Sequence, residues 1–347
     1  MRTDAFDYHL PPERIAQHPI EPRDSARLML LQRRSEQIRH AVFRDLPSLL
    51  APGDLLVAND SRVMPARIRG RKLDGGGRVE ALLLRPEASP LEWRCLVRGR
   101  LRVGSRLRFG GEADGAVEAR VLELMPSGER RLRFDRAPDG WLGALGEVPL
   151  PPYIHAQLDD PERYQTIYAR VAGSAAAPTA GLHFTPELVE TLTRRGLGWA
   201  SVTLHIGLDT FRPVESETVE DHRIHREWLE VPEPTAAAVA KTRAEGGRVI
   251  AVGTTSVRAL ETAARWALAA EDPAPVRAGA GWSELFLRPG SRIHAVDGLI
   301  TNFHLPRSSL LMLVAAFADK ALVDRAYREA IAEHYRFYSF GDAMLIL

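Results

Sequence analysis

Cysteine is almost absent from this 347-residue chain, which contains Cys95 and no other thiol. A single cysteine excludes a disulfide within the chain and a metal site built from several cysteines. In the segment EWRCLV, Cys95 alternates with the charged Arg94, and this alternation predicts a strand residue that faces a core. We therefore assign Cys95 a packing role.

Long apolar segments are missing as well. The longest one, Leu310 to Ala318, is far shorter than the roughly 20 residues that a membrane-spanning helix requires. The N-terminus, MRTDAFDYHL, contains neither the basic stretch nor the apolar stretch of a secretory leader. We expect a cytoplasmic protein that does not contact a membrane.

The chain also has no excess of either charge, since 46 basic and 45 acidic residues leave a formal charge of +1. Attraction to a polyanion must then come from local clustering. Between Ser61 and Gly110 there are 13 Lys or Arg and four Asp or Glu. This stretch is either a surface that follows phosphates, with Arg98 and Arg100 as candidate phosphate contacts, or an arginine-rich face exposed to solvent.

Two familiar site patterns are lacking. No G-x-G-x-x-G turn follows an N-terminal strand, so a dinucleotide-binding fold and its methyltransferase relatives are poorly supported. His222 and His225 have a spacing that can ligate a metal on a helix, but no carboxylate or third histidine lies at a convincing offset. We predict no metal site.

The middle of the chain differs from the rest in its pattern of apolar and polar residues. Short alternating runs separated by Gly, Pro and Ser occupy residues 66–134, namely ARIRGR, RVEALLLR, EWRCLVRG, SRLRF, AVEARVLEL and RRLRF. Strands of this length and spacing predict a barrel or a sandwich. Beyond PLPPYI, helical and strand patterns alternate, which predicts an α/β fold.

These two sequence patterns predict two domains, and the length of the chain agrees with that number. We expect an α/β domain with a mixed sheet, built from residues 1–60 and 150–347. A smaller all-β barrel domain, residues 61–149, is inserted into it. The alternative, three domains in series, requires the short N-terminal part to form a core of its own.

The most informative segment is APTAGLHFTPELVETL, residues 177–192. It places Thr179, Gly181 and His183 directly before a helix that we expect to begin at Thr185–Pro186. Thr185 can cap the first free N–H groups, and proline suits the first helical position. A polar loop that leads into a helix N-terminus suits an anionic or polar ligand group. Taken alone, the segment is explained equally well by an ordinary loop before a capped helix.

The same arrangement occurs twice more. A buried strand turns at Gly253 into a helix whose first residues are candidates for substrate binding: Thr254, Thr255, Ser256 and Arg258. A third strand leads to Asn302 and His304 before a helix capped by Ser308 or Ser309. In open α/β sheets ligands bind beyond the carboxyl ends of the strands, so we expect the three loops to share one cleft.

Histidines stand at three junctions between a strand and a loop: His183, His205 and His304. An imidazole with a pKa near ~6.5 is suited to proton transfer at neutral pH. A structural histidine is an equally good explanation of each position taken singly. Their common placement favours a catalytic role for the group.

Long segments along the whole chain match one known family: FDYHLPPERIAQHP, RDSARLMLL, DLLVANDSRVMPARI, LPPYI, YQTIYA, GSAAAPTAGLHFTPEL, TLHIGLDTFRPV, VGTTSVRALE, DGLITNFHLPRSSLLMLVAAF and YRFYSFGDAMLIL. On these segments the chain resembles the S-adenosylmethionine:tRNA ribosyltransferase-isomerases of queuosine biosynthesis. The resemblance implies transfer and isomerisation of the ribosyl part of S-adenosylmethionine onto a 7-aminomethyl-7-deazaguanine base at the tRNA wobble position. The implied products are epoxyqueuosine in tRNA, adenine and methionine.

The resemblance also implies the partners, whereas the residue roles that follow are our own hypotheses. S-adenosylmethionine is consumed as a substrate, no cofactor is required, and the partner is the tRNA anticodon loop; we expect a monomer. Residues Thr254–Ser256 are candidates for holding a carboxylate or phosphate, and the three histidines are candidates for proton transfer. Asn302 and Thr179 are candidates for orienting the substrate. Asp60 and Arg62, where we expect the two domains to meet, are candidates for receiving tRNA.

One departure from the family pattern bears on the site. Asp209 stands where the family commonly has glycine before a Thr-Phe pair. A carboxylate beside His205 can alter the loop and the proton affinity of that histidine.

Two other functions fit parts of the pattern. An α/β enzyme for a small nucleoside or sugar phosphate would turn over without tRNA. A non-catalytic RNA-binding protein would depend on the basic barrel and would tolerate His183→Ala. Neither explains the polar loops of the α/β part as well as an RNA-modifying enzyme does.

Overall fold

A computed structural model describes residues 1–111, 115–126, 128–207 and 213–347. The chain divides into two compact units. The first, here called the α/β unit, comprises Met1–Arg62 and Pro151–Leu347. The second, the barrel unit, comprises Val63–Leu150.

The described residues form 18 strands, numbered in chain order: β1 Arg27–Gln32, β2 Gln37–Val42, β3 Leu55–Asn59, β4 Ser61–Val63, β5 Arg67–Lys72, β6 Arg78–Pro86, β7 Glu92–Arg98, β8 Arg106–Phe109, β9 Val117–Leu124, β10 Glu129–Phe134, β11 Gly146–Glu147, β12 Val171–Ser174, β13 Gly198–Leu204, β14 Glu227–Val231, β15 Val249–Val252, β16 Gly279–Ser283, β17 Gly298–Asn302 and β18 Ala343–Ile346.

Seven α-helices occur in the described parts of the chain: α1 Leu46–Leu49, α2 Leu142–Leu145, α3 Pro186–Arg194, α4 Glu233–Ala244, α5 Thr254–Ala269, α6 Ser309–Ala318 and α7 Lys320–Ala332. A 3₁₀ turn, Thr179–His183, precedes α3. None of the described helices has the length and apolar character needed to cross a bilayer.

A nine-stranded sheet organises the α/β unit, with the order β16-β14-β13-β3-β15-β17-β18-β1-β2. The four central strands β13, β3, β15 and β17 are parallel to one another, whereas β18 is antiparallel to β17. The predicted α/β domain with a mixed sheet is therefore confirmed. Because the four parallel strands share one direction, their carboxyl ends lie at the same edge of the sheet.

Apolar clusters cover both faces of this sheet. On one face Val57 and Leu299 pack with residues of α4, α5, α6 and α7. On the other face Leu56 and Ile300 pack with residues of α1 and α3. Strands buried on both faces read as continuous apolar runs, as in the segment VIAV of β15. The two layers of helices fix the sheet and hence the loops at its edge.

The barrel unit is a closed antiparallel barrel of six strands in the order β5-β6-β7-β10-β9-β8, in which β8 pairs back onto β5. All six alternating runs form strands, so the predicted all-β barrel is confirmed. Its interior holds apolar side chains, among them Val79, Phe109 and Leu132, and Cys95 is completely buried with them. The predicted packing role of Cys95 agrees with this position.

Candidate active site

The parallel strands bring the three predicted loops to one cleft in the α/β unit. Its lining includes predicted site residues from all three loops: Thr179, Thr254, Thr255, Asn302 and His304. The loops converge because β15 and β17 are neighbours and the turn Thr179–His183 packs against β17. A shared cleft at the carboxyl edge of the sheet is what the loop pattern predicts.

Asn302 links the walls of the cleft. Its side-chain oxygen accepts a hydrogen bond of 3.0 Å from the Thr179 hydroxyl. Its amide nitrogen lies 3.2 Å from the Tyr338 carbonyl oxygen and 3.4 Å from His183 Nε2. A buried amide with these partners has a fixed orientation, and it fixes the Thr179 hydroxyl in turn.

The N-terminus of α5 opens towards the cleft. Gly253 turns the chain with φ of +89°, and no side chain caps the helix that starts at Thr254. The hydroxyl of Thr255 is buried and has no hydrogen-bond partner among the described residues. Ser256, by contrast, donates its hydroxyl to the Val252 carbonyl at 2.8 Å and does not line the cleft. Uncapped N–H groups and a free hydroxyl together suit an anionic ligand group.

His304 is a buried residue on the wall of the cleft. Its Nε2 lies 2.7 Å from the Thr301 hydroxyl, and its backbone N–H donates to the Tyr327 hydroxyl at 2.8 Å. Burial lowers the pKa of the imidazole to about 3. The ring is therefore neutral at physiological pH and is held by its neighbours.

His183 lies behind the cleft. Its ring packs on Phe43 with 4.9 Å between centroids, and it reaches the cleft through Asn302. Burial lowers its pKa to about 4, and the positive charge of Arg336 acts in the same direction. The ring does not line the cleft itself.

His205 follows β13 and is half-buried. Its ring stacks on Trp228 with 5.3 Å between centroids and 17° between planes. A Cβ atom at Gly173 would lie 2.6 Å from the ring, so the imidazole occupies a narrow slot between these two residues. Burial lowers its pKa, although the negative charge of Asp60 opposes this effect. The ring does not line the cleft, although the next residue, Ile206, does. The buried Nδ1 of His205 has no hydrogen-bond partner among the described residues.

Asp60 and Arg62 are engaged within the α/β unit. The buried carboxylate of Asp60 accepts a hydrogen bond of 2.7 Å from Thr203 and pairs with Arg170 at 2.8 Å. Arg62 forms an ion pair with Glu162. Neither residue lines the cleft.

Gly181 and Arg258 also lie outside the cleft. A Cβ atom at Gly181 would lie 2.0 Å from the Tyr168 hydroxyl, so glycine permits a close approach here. Arg258 is buried and forms an ion pair with Glu227 beside a second cavity. The loop pattern alone does not separate these two positions from those that line the cleft.

The remaining predicted residues have other positions. Arg98 and Arg100 are exposed on the barrel unit. His222 and His225 precede β14 in a segment that is not helical, and the described residues contain no group of three His, Cys, Asp or Glu suited to a metal ion. Asp209 lies outside the described residues.

Sequence reasoning missed the aromatic wall of the cleft. Tyr153 and Tyr338 line it with 4.7 Å between ring centroids, and the Tyr153 hydroxyl lies 2.8 Å from the Ser339 hydroxyl. The segments LPPYI and YRFYSFGDAMLIL contain these residues and were recognised as part of the family pattern. Nothing in their local spacing indicates that they meet at the site.

Comparisons with known proteins identify the family. Residues 3–346 match the model of a family described as queuosine biosynthesis protein. An S-adenosylmethionine:tRNA ribosyltransferase-isomerase of Symbiobacterium thermophilum is 52% identical over the full length of both chains. The protein of the same name from Gloeobacter violaceus is 55% identical over 99% of this chain and 96% of its own.

A solved structure agrees with these matches. The crystal structure of the S-adenosylmethionine tRNA ribosyltransferase of Thermotoga maritima is 40% identical in sequence and matches the fold with a TM-score of 0.57. The match covers 99% of this chain and all of that chain. The chain thus belongs to the queuosine biosynthesis protein family, and the prediction of an enzyme of the transferase class is confirmed.

Proposed function

We propose that the chain transfers and isomerises the ribosyl part of S-adenosylmethionine onto the 7-aminomethyl-7-deazaguanine base at the wobble position of tRNA. The products are epoxyqueuosine-tRNA, adenine and methionine. S-adenosylmethionine and tRNA are named in the descriptions of the relatives, and the finer details of substrate and product follow from the family resemblance.

The observation that carries this proposal is the composition of the cleft. A substrate with a carboxylate, a ribose and a purine requires an anion site, hydrogen-bonding groups and apolar or aromatic surface in one pocket. The cleft supplies the N-terminus of α5, the amide of Asn302 and the rings of Tyr153 and Tyr338. In this proposal Thr254 and Thr255 hold the methionine carboxylate, while Asn302 and Thr179 orient the sugar.

Proton transfer is assigned to His205 in preference to the other two histidines. The sulfonium of S-adenosylmethionine acidifies the neighbouring C5′ proton, and a base that removes it forms an ylide. Adenine then leaves with the electrons of its glycosidic bond, and the amine of the modified base adds to the sugar carbons and loses a proton. Closure of the epoxide breaks the C5′–S bond and releases methionine. A base is most effective when its pKa lies near the working pH. Since desolvation lowers all three pKa values, the half-buried ring of His205 keeps more proton affinity than the buried rings of His183 and His304.

The two units divide the work in this proposal. The α/β unit is the catalytic domain, and the barrel unit contributes tRNA contacts that include Arg98 and Arg100. Asp60 and Arg62 act by holding the loops around β3 and β12, because their side chains are engaged with protein groups. S-adenosylmethionine is consumed as a substrate and no further cofactor takes part. The cytoplasmic location and the monomeric state stay predictions.

Adenine release tests the proposal. The purified protein is incubated with S-adenosylmethionine and tRNA that carries 7-aminomethyl-7-deazaguanine, and free adenine is measured by chromatography. We expect one adenine per modified tRNA and none with tRNA that carries guanine at the same position. Equal release without tRNA would favour the small-molecule enzyme, and no release with any RNA that the protein binds would favour a non-catalytic RNA-binding protein.

A further inference from the structure

The barrel unit carries two sets of arginines that differ in their partners. One set is paired with glutamates at 4.0 Å or less: Arg67, Arg69, Arg85, Arg94, Arg108, Arg131 and Arg133. The other set lies within the segment from β5 to β9, is exposed and forms no ion pair with any described residue: Arg71, Arg78, Arg98, Arg100, Arg102, Arg106 and Arg120. We call the second set the basic rim.

Strand order brings the basic rim together. In the closed barrel, β5 and β7 end where β6 and β8 begin, so most of these residues lie at one end. Arg71 is directly opposite Arg78 in the strand register, and Arg106 is directly opposite Arg120. Like charges in such positions destabilise a sheet unless an anion relieves the repulsion.

The surface of this end is shaped as two shallow hollows. Arg78 and Arg98 line one, and Arg100, Arg102 and Arg106 line the other. The second hollow also contains Lys72, which donates to the Arg100 carbonyl at 2.8 Å and so anchors the loop. Asp74 lines the second hollow and Glu80 the first, and cations outnumber carboxylates in both.

The side chains of the basic rim indicate which chemical groups of a partner it can bind: it presents guanidinium groups and no exposed aromatic ring. Guanidinium groups match phosphate oxygens in a bidentate geometry. Proteins that bind the bases of single strands typically stack them on exposed aromatic rings. The rings of Trp93, Phe109, Phe134 and Trp141 are all buried in the barrel unit, and the large apolar side chains exposed on its described residues are Val103 and Leu124. The rim therefore offers guanidinium groups to phosphates and no aromatic platform for bases.

We propose that the basic rim binds the sugar-phosphate backbone of an RNA stem without reading its sequence. This inference rests on the proposed function in one respect, since the RNA expected in the reaction is tRNA. It adds a defined surface to the general expectation of a basic barrel. Of the paired arginines, Arg69 lines the first hollow and so borders this surface, and the others are not assigned to it. Arg98 and Arg100 belong to the rim, whereas Arg85 and Arg133 do not.

The test compares two double variants with the same change in net charge. Arg98→Gln/Arg100→Gln removes two rim charges, and Arg85→Gln/Arg133→Gln removes two exposed but paired charges. Binding of fluorescently labelled, unmodified tRNA transcript is measured by anisotropy over a range of KCl concentrations. Each phosphate contact adds a salt dependence of about −0.7 to −0.9 to the slope of log K against log [salt]. For the rim variant we expect a Kd roughly tenfold higher and a slope about 1.4 to 1.8 smaller in magnitude.

The control variant should change the Kd less than twofold and keep the slope of the unaltered protein. If both variants weaken tRNA binding equally, the effect is one of net charge and the proposal is overturned. Unchanged tRNA binding by the rim variant would overturn it as well. Displacement of tRNA by polyglutamate at equal charge concentration would overturn it in favour of an acidic protein partner. Thermal melting of each variant identifies any loss of fold, and the single variants Arg98→Lys and Arg100→Lys, which keep the charge, should retain the salt slope.

Failure of this inference is distinguishable from failure of the proposed function. If the unaltered protein releases adenine but the rim variant binds tRNA normally, the reaction stands and the rim assignment falls. If the rim variant loses tRNA binding while no adenine is released by the unaltered protein, the rim assignment stands and the reaction falls.

Discussion

The α/β unit and the barrel unit treat polar groups in opposite ways. Among the described residues, every polar or charged side chain that is buried belongs to the α/β unit, including Thr255, Asn302 and His304 of the cleft. The barrel unit buries apolar side chains and Cys95, and its described charged side chains are exposed or half-buried. Chemistry requires desolvated groups held in fixed positions, whereas attraction of a polyanion requires charges that solvent and phosphate can reach. In the proposed function, this difference corresponds to a catalytic α/β unit and a barrel unit that attracts RNA through its surface charges.

The largest effect should follow removal of the proposed base. We expect His205→Ala to lower the single-turnover rate of adenine release about 10²- to 10⁴-fold, since general-base catalysis contributes a factor of this size. The exposed His155 offers a matched control, and His155→Ala should keep the normal rate. Normal turnover by the His205→Ala variant would show that His205 is not the base.

The pH profile of the unaltered protein gives a second view of the same group. A base acts in its neutral form, so the rate should fall as the pH drops below the pKa of His205 and should level off above it. Because burial lowers this pKa from its usual value near 6.5, the rate should still exceed half of its plateau at pH 6.5. A midpoint above pH 7 would contradict the assignment.

A smaller effect is expected at Asn302, which orients groups without exchanging a proton. Asn302→Ala removes the partner of the Thr179 hydroxyl and of the Tyr338 carbonyl. We expect the single-turnover rate to fall about 10²-fold, as for loss of one preoriented polar group in other sites. Its pH midpoint should stay that of the unaltered protein, and a shifted midpoint would place Asn302 in the protonation step.

The apolar interior of the barrel should reject a hydroxyl. Cys95→Ser places a hydroxyl where no described polar side chain is buried. The Trp93 carbonyl oxygen lies 3.8 Å from the Cys95 Sγ, too far for a good O–H···O bond, so burial of the hydroxyl costs about 1–3 kcal/mol. Urea unfolding should show this loss in the variant, and Cys95→Ala should separate the polar effect from the effect of lost volume. A Cys95→Ser variant as stable as the unaltered protein would weaken the contrast between the two interiors.

The smallest effect is expected for a substitution of Thr255 in the cleft. Here any change in stability should be opposite in sign to the loss expected for Cys95→Ser in the barrel. Thr255→Val removes a buried hydroxyl that has no partner, so stability should be unchanged or slightly higher. We expect the KM for S-adenosylmethionine to rise about tenfold, because a hydrogen bond to a charged group contributes roughly 1.5–3 kcal/mol. An unchanged KM would remove Thr255 from the substrate site.

Much of the fold could be predicted because its signals are local. Alternation over residues 66–134 indicates the six barrel strands, and the apolar run before Gly253 indicates a buried parallel strand. The three polar loops could be placed in one cleft because parallel strands end at the same edge of a sheet. Thr185 and Ser308 cap α3 and α6, as the helix-start signals indicate.

The remaining features depend on contacts between distant parts of the chain. Tyr153 and Tyr338 meet at the cleft although 184 positions separate them, and neither stands beside a polar loop motif. Which arginines of the barrel are neutralised depends on the register of the strands. Arg94, for example, reaches both Glu87 and Glu129. Composition indicates a basic barrel, whereas the basic rim becomes visible in the folded chain.

The position of the substrate carboxylate tests the assignment of the cleft most directly. Calorimetry would measure the binding of S-adenosylmethionine and of its decarboxylated analogue to the unaltered protein and to Thr255→Val. If the N-terminus of α5 holds the carboxylate, the analogue should bind the unaltered protein about tenfold more weakly, and Thr255→Val should weaken the parent compound but not the analogue. Equal loss of affinity for both compounds in the variant, or equal affinity of both for the unaltered protein, would contradict the account.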